Sequence, residues 1–269
     1  MNEPCSAPPG SGDVVGEAHG QGIELALTMG QLLMDHGAES DVVENVVRAC
    51  GASLGCRWDA VLVTYNALMV TELSGDGYRT KLRRVSPRAV DMSLIETVSA
   101  LGQRVTDGKL SSTQLEAALR ALEGAPRHYP PALTCIAVGL ACGAFSRIFQ
   151  GDWPAFAATV VGSTGAMMVR HYHAKRKPNR LVFAAVSACV AGSIVGGMQK
   201  LFGLSATPSA AFVACVLMLV PGVPAINAVQ DLIRGHVSVA LARAAETITI
   251  VLAAALGLLL SLRILQVPL

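Results

Sequence analysis

The sequence predicts a membrane protein in two parts. A cytoplasmic α+β domain comes first, followed by a bundle of five transmembrane α-helices with a proline-broken segment after the fourth. Three observations predict this. The 269 residues are 52% hydrophobic and 15% charged, too apolar for an ordinary soluble domain. Charge is divided unevenly: residues 1–127 hold 16 of the 19 acidic side chains and 11 of the 21 basic ones. Beyond Pro131, apolar stretches follow one another at about 132–149, 154–170, 181–199, 206–220 and 237–262. The predicted division is a disordered N-terminus (1–21), the α+β domain (22–126) and the membrane domain (127–269). The total of +2 says nothing about nucleic acid, but no basic stripe interleaved with aromatic side chains is present, and no nucleic-acid partner is expected.

Residues 1–21 are rich in Gly, Pro, Ser and acids and carry no apolar core of a signal peptide. GIELALTMGQLLMDHG (22–37) reads as a helix with Ile23, Leu27, Leu33 and Met34 on one stripe and Gly37 as its stop. Ser40 is placed to cap a second helix, on which Val42, Val43, Val46, Val47 and Cys50 share a face. Residues 59–65, 67–73 and 78–85 read as strands, the last two joined at Gly75-Asp76-Gly77. Pro87 is expected to open a helix carrying Leu94, Val98, Leu101 and Val105. Ser111 and Gln114 have the spacing of a capping box for a last helix ending at Gly124, and Pro126, Pro130 and Pro131 mark the boundary.

The apolar stretches approach the roughly 20 residues that cross ~30 Å of hydrocarbon. They are rich in small residues, including Gly139-x-x-x-Gly143 and Gly192-x-x-x-Gly196. Small residues let helices pack closely in lipid; such faces serve intrachain packing or a homo-oligomer. The cations Lys175, Arg176, Lys177 and Arg180 sit in one predicted loop, 171–180, which also takes in His171 and His173. The positive-inside rule places that loop in the cytoplasm. Counting crossings from it puts the N-terminal domain in the cytoplasm and the C-terminus in the periplasm.

The most informative stretch is LMLVPGVPAINAVQDLIRGH (217–236). Pro221 and Pro224 each lack an N–H and are expected to break a helix. In lipid, broken backbone is tolerated only against protein or a water-filled cavity, and transporters place solute and coupling-ion sites at such breaks. The next helix would aim its positive N-terminal end at the break, which favours an anion such as a carboxylate. The candidate path residues are therefore Pro221, Gly222 and Pro224, then Asn227 as a polar contact. Arg234 and Arg243 are candidate carboxylate partners. Asp231 and Glu246 are proton carriers or the partners of those arginines, since Asp231/Arg234 and Arg243/Glu246 are each three apart. The alternative is an amphipathic helix on the membrane surface.

Nothing here reads as an enzyme: no nucleophile elbow, zinc-protease motif, phosphate loop or dinucleotide fingerprint occurs. The seven cysteines make neither a disulfide framework nor a zinc site. No catalytic residue, metal or cofactor is expected.

Four stretches carry a resemblance: LLMDHGAES (32–40), RHYPPALTCIAVGLACGAF (127–145), GDWPAFAATVVGSTGAM (151–167) and LMLVPGVPAINAVQDLIRGHVSVALARAAE (217–246). From about residue 22 to the end, the sequence resembles the threonine/serine exporter family. It is most similar to the short, five-span branch whose two-component members export succinate from bacteria. The resemblance implies a location in the bacterial inner membrane, a small carboxylate solute and a small all-membrane partner subunit. Threonine or serine is the solute in the fused, ten-span branch. A regulatory or assembly role remains as a third reading. The family's glycine-acid segment falls on Gly37, Ala38, Glu39 and Ser40.

Overall fold

The computed structural model describes residues 11–74, 77–86, 88–123, 129–174, 179–203 and 205–266. The predicted turn residues Gly75 and Asp76, the helix opener Pro87, the stop at Gly124, Pro126 and the cations Lys175, Arg176 and Lys177 lie outside these. The chain divides into two compact units. One combines residues 1–125 with 226–243; the other combines 126–225 with 244–269.

In the first unit, α1 (Ser11–Asp35) and α2 (Ser40–Ser53) pack on each other, followed by β1 (Trp58–Val63), β2 (Ala67–Ser74), β3 (Gly77–Arg84), α3 (Met92–Thr106) and α4 (Ser112–Glu123). Helix α1 starts within the segment 1–21 expected to be disordered. Once a buried helix is nucleated, each added residue gains a backbone bond at little further cost. The strands form one antiparallel sheet in the order β1-β2-β3. Its register aligns Leu62 with Met69 and Met69 with Leu82. Alternation sends Val61, Val63, Leu68 and Val70 into the core with Ile23, Leu27, Leu33, Val43 and Val47. Leu62, Tyr78 and Leu82 stay exposed. Gly30 lets α1 come close: a Cβ there would stand 2.4 Å from Leu68 and 2.7 Å from Val47. Glu24 accepts Lys81 Nζ at 2.8 Å and also pairs with Arg83, tying α1 to β3. The Lys81 hydrogen bond foremost, against the opposing effect of burial, holds the Glu24 carboxyl below its ordinary range.

Of helices α3 and α4, one starts where expected and the other does not. Helix α3 begins at Met92, with Asp91 as its N-cap accepting from Leu94 N–H at 3.1 Å. Residues 88–90 are not helical, because Arg88 N–H and Asp91 N–H donate to the carbonyls of Asp35 and His36 at the end of α1. The capping box forms as predicted: Ser111 N–H donates to Gln114 Oε1 at 3.1 Å, and Gln114 N–H to Ser111 Oγ at 3.3 Å.

The second unit holds α5 (Pro131–Ile148), α6 (Trp153–Ala174), α7 (Arg180–Phe202), α8 (Pro208–Val216) with a 3-10 turn at Leu217–Leu219, and α10 (Val237–Leu265) from Ala244 onward. A helix stands at each predicted span. Helix α6 runs past 170, so His171 and Tyr172 are helical and not loop. Helix α8 packs against α5, α6 and α7. A Cβ on Gly139 would fall 2.0 Å from Thr164 Oγ1, and one on Gly192 would fall 2.2 Å from Ser261 Oγ. The two small-residue motifs thus serve the α5–α6 and α7–α10 crossings within the chain.

Five crossings are not all supported by length and apolarity. Among the described residues α5, α7 and α10 qualify, and α8 with the helix after it (Gly222–Ile233, α9) makes a fourth if that bent pair is one span. Helix α6 is diluted by Thr159, Gly162, Ser163, Thr164 and Gly165.

Candidate functional site

The predicted break is real, but only one proline makes it. The chain bends by 65° between Pro208–Leu219 and α9. Leu217 O would accept from residue 221 in a continuous helix; Pro221 has no N–H, and Val220 N–H donates to Leu217 O instead, at 3.1 Å. Upstream, Ser163 Oγ of α6 donates to Cys215 O at 3.3 Å, giving a carbonyl near the break a partner inside the bundle, as lipid demands. Pro224 falls in the first turn of α9, where a backbone N–H has no intrahelical acceptor anyway. It therefore removes no helical bond, contrary to the reading that both prolines break the chain.

Beyond the break, α9 ends in a Schellman motif at Gly235 (φ +89°): Gly235 N–H donates to Leu232 O at 3.2 Å and His236 N–H to Asp231 O at 2.8 Å. Helix α10 starts at once, and Arg243 reaches back so that Nη1 lies 2.8 Å from Asp231 Oδ2. Both side chains are buried, Asp231 completely. The three-apart pairs expected from sequence do not form. Arg234 instead pairs with Glu39 at 3.0 Å and Asp41 at 2.9 Å, and Glu246 pairs with Arg180 at the start of α7.

Four polar side chains of this stretch, Asn227, Asp231, Arg234 and Arg243, converge on residues 37–41, where α1 turns into α2. That turn is a second Schellman motif, with Gly37 at φ +88°, Ala38 N–H on Leu33 O at 2.9 Å and Gly37 N–H on Met34 O at 3.1 Å. The motif leaves the carbonyls of Gly37 and Ala38 facing outward. Asn227 Nδ2 donates to Gly37 O at 2.8 Å, and Arg243 Nη2 to Ala38 O at 2.8 Å. Ser40 does not cap α2: it is the first helical residue, Glu39 holds the N-cap position without a side-chain cap, and Ser40 N–H donates to Asp231 Oδ1 at 3.0 Å. An anion at a helix N-terminus meets both free N–H groups and the positive end of the helix dipole.

The glycine-acid segment is thus the other half of the cluster, and its role could not be read from the sequence alone. Its signal was present only as a helix stop followed by a cap residue. The arrangement is a closed polar joint: a carboxylate caps one helix, a guanidinium neutralises that carboxylate, and two turn carbonyls are bonded. Pro221 immediately precedes α9 and Gly222 is its first residue. Among the described residues, no three His, Cys, Asp or Glu side chains gather as a metal site requires. Burial pushes the thiols of Cys50 and Cys56 up to about 12 and about 11, so they stay protonated.

Comparison with known proteins identifies relatives. Residues 24–265 match the family described as "Putative threonine/serine exporter" (ThrE). The chain is 31% identical over 240 residues to the "Probable succinate transporter subunit YjjP" of Escherichia coli, covering 89% of this chain and 93% of that one. It is also 31% identical to the protein of the same name from Klebsiella aerogenes, over 88% and 92% of the two chains. It is 23% identical to a "Probable threonine/serine exporter" of Mycobacterium tuberculosis, covering 90% of this chain but 46% of that longer one. No solved structure matches.

Proposed function

Because this chain belongs to the threonine/serine exporter family, we propose that it is one subunit of an inner-membrane secondary transporter that exports succinate or a similar small dicarboxylate. The observation that carries this reading is its likeness, over nearly the whole of both chains, to two relatives named as succinate transporter subunits. A subunit needs a companion, and we assign that role to a small all-membrane protein. The match to under half of the long mycobacterial relative agrees with a transporter built from two chains. We read the protein as a transporter and not an enzyme.

In this reading all five helices cross. Helix α6 is less apolar, but its Thr159 and Ser163 are fully buried between neighbours, so they never meet lipid. Residues 22–126 are cytoplasmic and the C-terminus is periplasmic. Pro221, Gly222 and Pro224 flank the solute path with Asn227, and Asp231, Arg234, Arg243 and Glu246 control it. A solute carboxylate reaching Arg243 would have to displace Asp231, already bound there.

The convergence of Asn227, Asp231, Arg234 and Arg243 on residues 37–41 favours a second reading, in which this subunit regulates a path formed by its companion. The solute of the mycobacterial relative's name, threonine or serine, is the alternative substrate.

One experiment separates these. Exchange of labelled succinate and labelled threonine is measured in proteoliposomes holding this chain alone, the companion alone, or both. Succinate exchange only with both supports the two-chain exporter. Threonine exchange moves the substrate assignment. Exchange by the companion alone, modulated by this chain, selects the regulatory reading.

A further inference from the structure

Asn227 and Asp231 on the polar side of α9 are engaged; its other side is not. Ile226, Val229 and Ile233 recur at i, i+3 and i+7 and are 61%, 58% and 78% exposed. Leu232 lies beside them, and Val237 and Leu241 continue the exposed stripe into the start of α10. Asn227, Ala228 and Asp231 form the buried side. A helix packed on a soluble domain shows the reverse arrangement, apolar inward and polar outward.

Twelve residues at 1.5 Å each give about 18 Å, too short to cross ~30 Å of hydrocarbon. The chain arrives from the apolar α8 and departs into α10, the most apolar of the three helices long enough to cross a membrane among the described residues. Both ends of α9 are therefore tied to segments that require lipid. Its rotation is fixed as well, because turning the helix would pull Asp231 from Ser40 and Arg243.

We propose that α9 lies flat in the membrane surface, with Ile226, Val229 and Ile233 in the boundary between headgroups and acyl chains and with Asn227 and Asp231 turned to the Gly37–Asp41 turn. The occupant of the exposed stripe is the bilayer. The stripe is wholly aliphatic and lacks the aromatic, Met and Arg anchors that enrich protein interfaces. Its one neighbouring exposed cation, Arg234, is engaged by Glu39 and Asp41, and it lacks the aromatic residues by which free interfacial helices bind on their own; it needs neither, since the adjoining spans hold it in place. This inference goes beyond the exporter reading and needs no solute.

The test uses the full chain in nanodiscs of phosphatidylcholine and phosphatidylglycerol. The photoreactive residue p-benzoylphenylalanine replaces Val229 or Ile233, and Arg120 on exposed α4 as the control. Irradiation is expected to give phospholipid adducts at 229 and 233 several-fold above the control. Adducts to a second copy or to a co-expressed companion subunit in place of lipid would overturn the proposal and make the stripe a protein interface. Absence of any adduct would overturn it in favour of a solvated face. As a second measurement, Val229→Trp in brominated phospholipid should lose fluorescence beyond the wild-type background; an unquenched signal would also overturn it.

Discussion

Oδ1 of Asp231 accepts the backbone N–H of Ser40 at 3.0 Å, so a carboxylate from 191 positions away does the capping that the N-cap residue Glu39 does not. The same carboxylate neutralises Arg243. Removing one member of a buried ion pair leaves the other charged and dry, at about 3–5 kcal/mol. Asp231→Ala should therefore lower the Tm of the purified protein strongly, as should Arg243→Ala. Asp231→Ala with Arg243→Ala should lose clearly less than the sum of the two single changes, because residues sharing one network are not additive. A double-mutant cycle on thermal unfolding reads this; additive losses would mean that the pair contributes nothing as a pair.

The two prolines predict different phenotypes. Pro221→Ala restores an N–H able to donate to Leu217 O, so it should straighten the break and reduce solute exchange at equal membrane abundance. Pro224→Ala changes a first-turn position where no helical bond is missing, and should stay within about 0.5 kcal/mol of wild type in stability. Paired measurements of abundance and exchange decide it. Equal effects of both substitutions would sink the assignment of the break to Pro221.

Much of this was legible in the sequence for local reasons. Proline, glycine and apolar length are read within one element, so these signals could be placed without knowing the rest of the fold. The capping box at Ser111–Gln114 and the stop at Gly37 are also local. The pairing of charges was not. Spacing alone joins Asp231 to Arg234 and Arg243 to Glu246. The Schellman turn at Gly235 instead sends α10 back along α9, and Arg243 meets Asp231 twelve residues before it once the chain has turned. Ser40 carried every mark of a cap, yet its hydroxyl has no partner in the structure. No sequence pattern announces that residues 226–243 pack with the first unit, because the contacts that do it join the two ends of the chain.

Gly37 gives a third test. Its φ of +88° is unfavourable for any L side chain, and a Cβ there would press on Val90 Cγ2 at 3.1 Å. Gly37→Ala should cost about 1–2 kcal/mol, and the loss should reach beyond the turn. Gly37 O and Ala38 O are the acceptors for Asn227 and Arg243, so displacing them loosens α9 as well. Hydrogen exchange on the full-length protein should show faster exchange in residues 226–234 of the variant than of wild type. Faster exchange confined to residues 32–40 would show that the turn and α9 are not coupled.

The last prediction concerns pH at the opposite loops of the second unit. Asp152, between α5 and α6, accepts from Ala155 N–H at 2.8 Å, Ser205 Oγ at 2.9 Å and Ala206 N–H at 2.7 Å. Burial pushes its carboxyl up, but these bonds, with Thr207 beside them, outweigh that and hold it below its ordinary range. A carboxylate depressed in the folded state stabilises above its unfolded pKa of about 4, and the contribution is lost as pH falls through the folded value. Wild type should thus unfold at a higher temperature than Asp152→Asn from neutral pH down to about 4, and the gap should close below that. The asparagine also turns an N–H₂ toward donors, so the deficit at neutral pH should exceed that of a merely uncharged acceptor. A gap unchanged between neutral and strongly acidic pH would mean that the ionised carboxylate is not what joins the α5–α6 loop to residues 205–207.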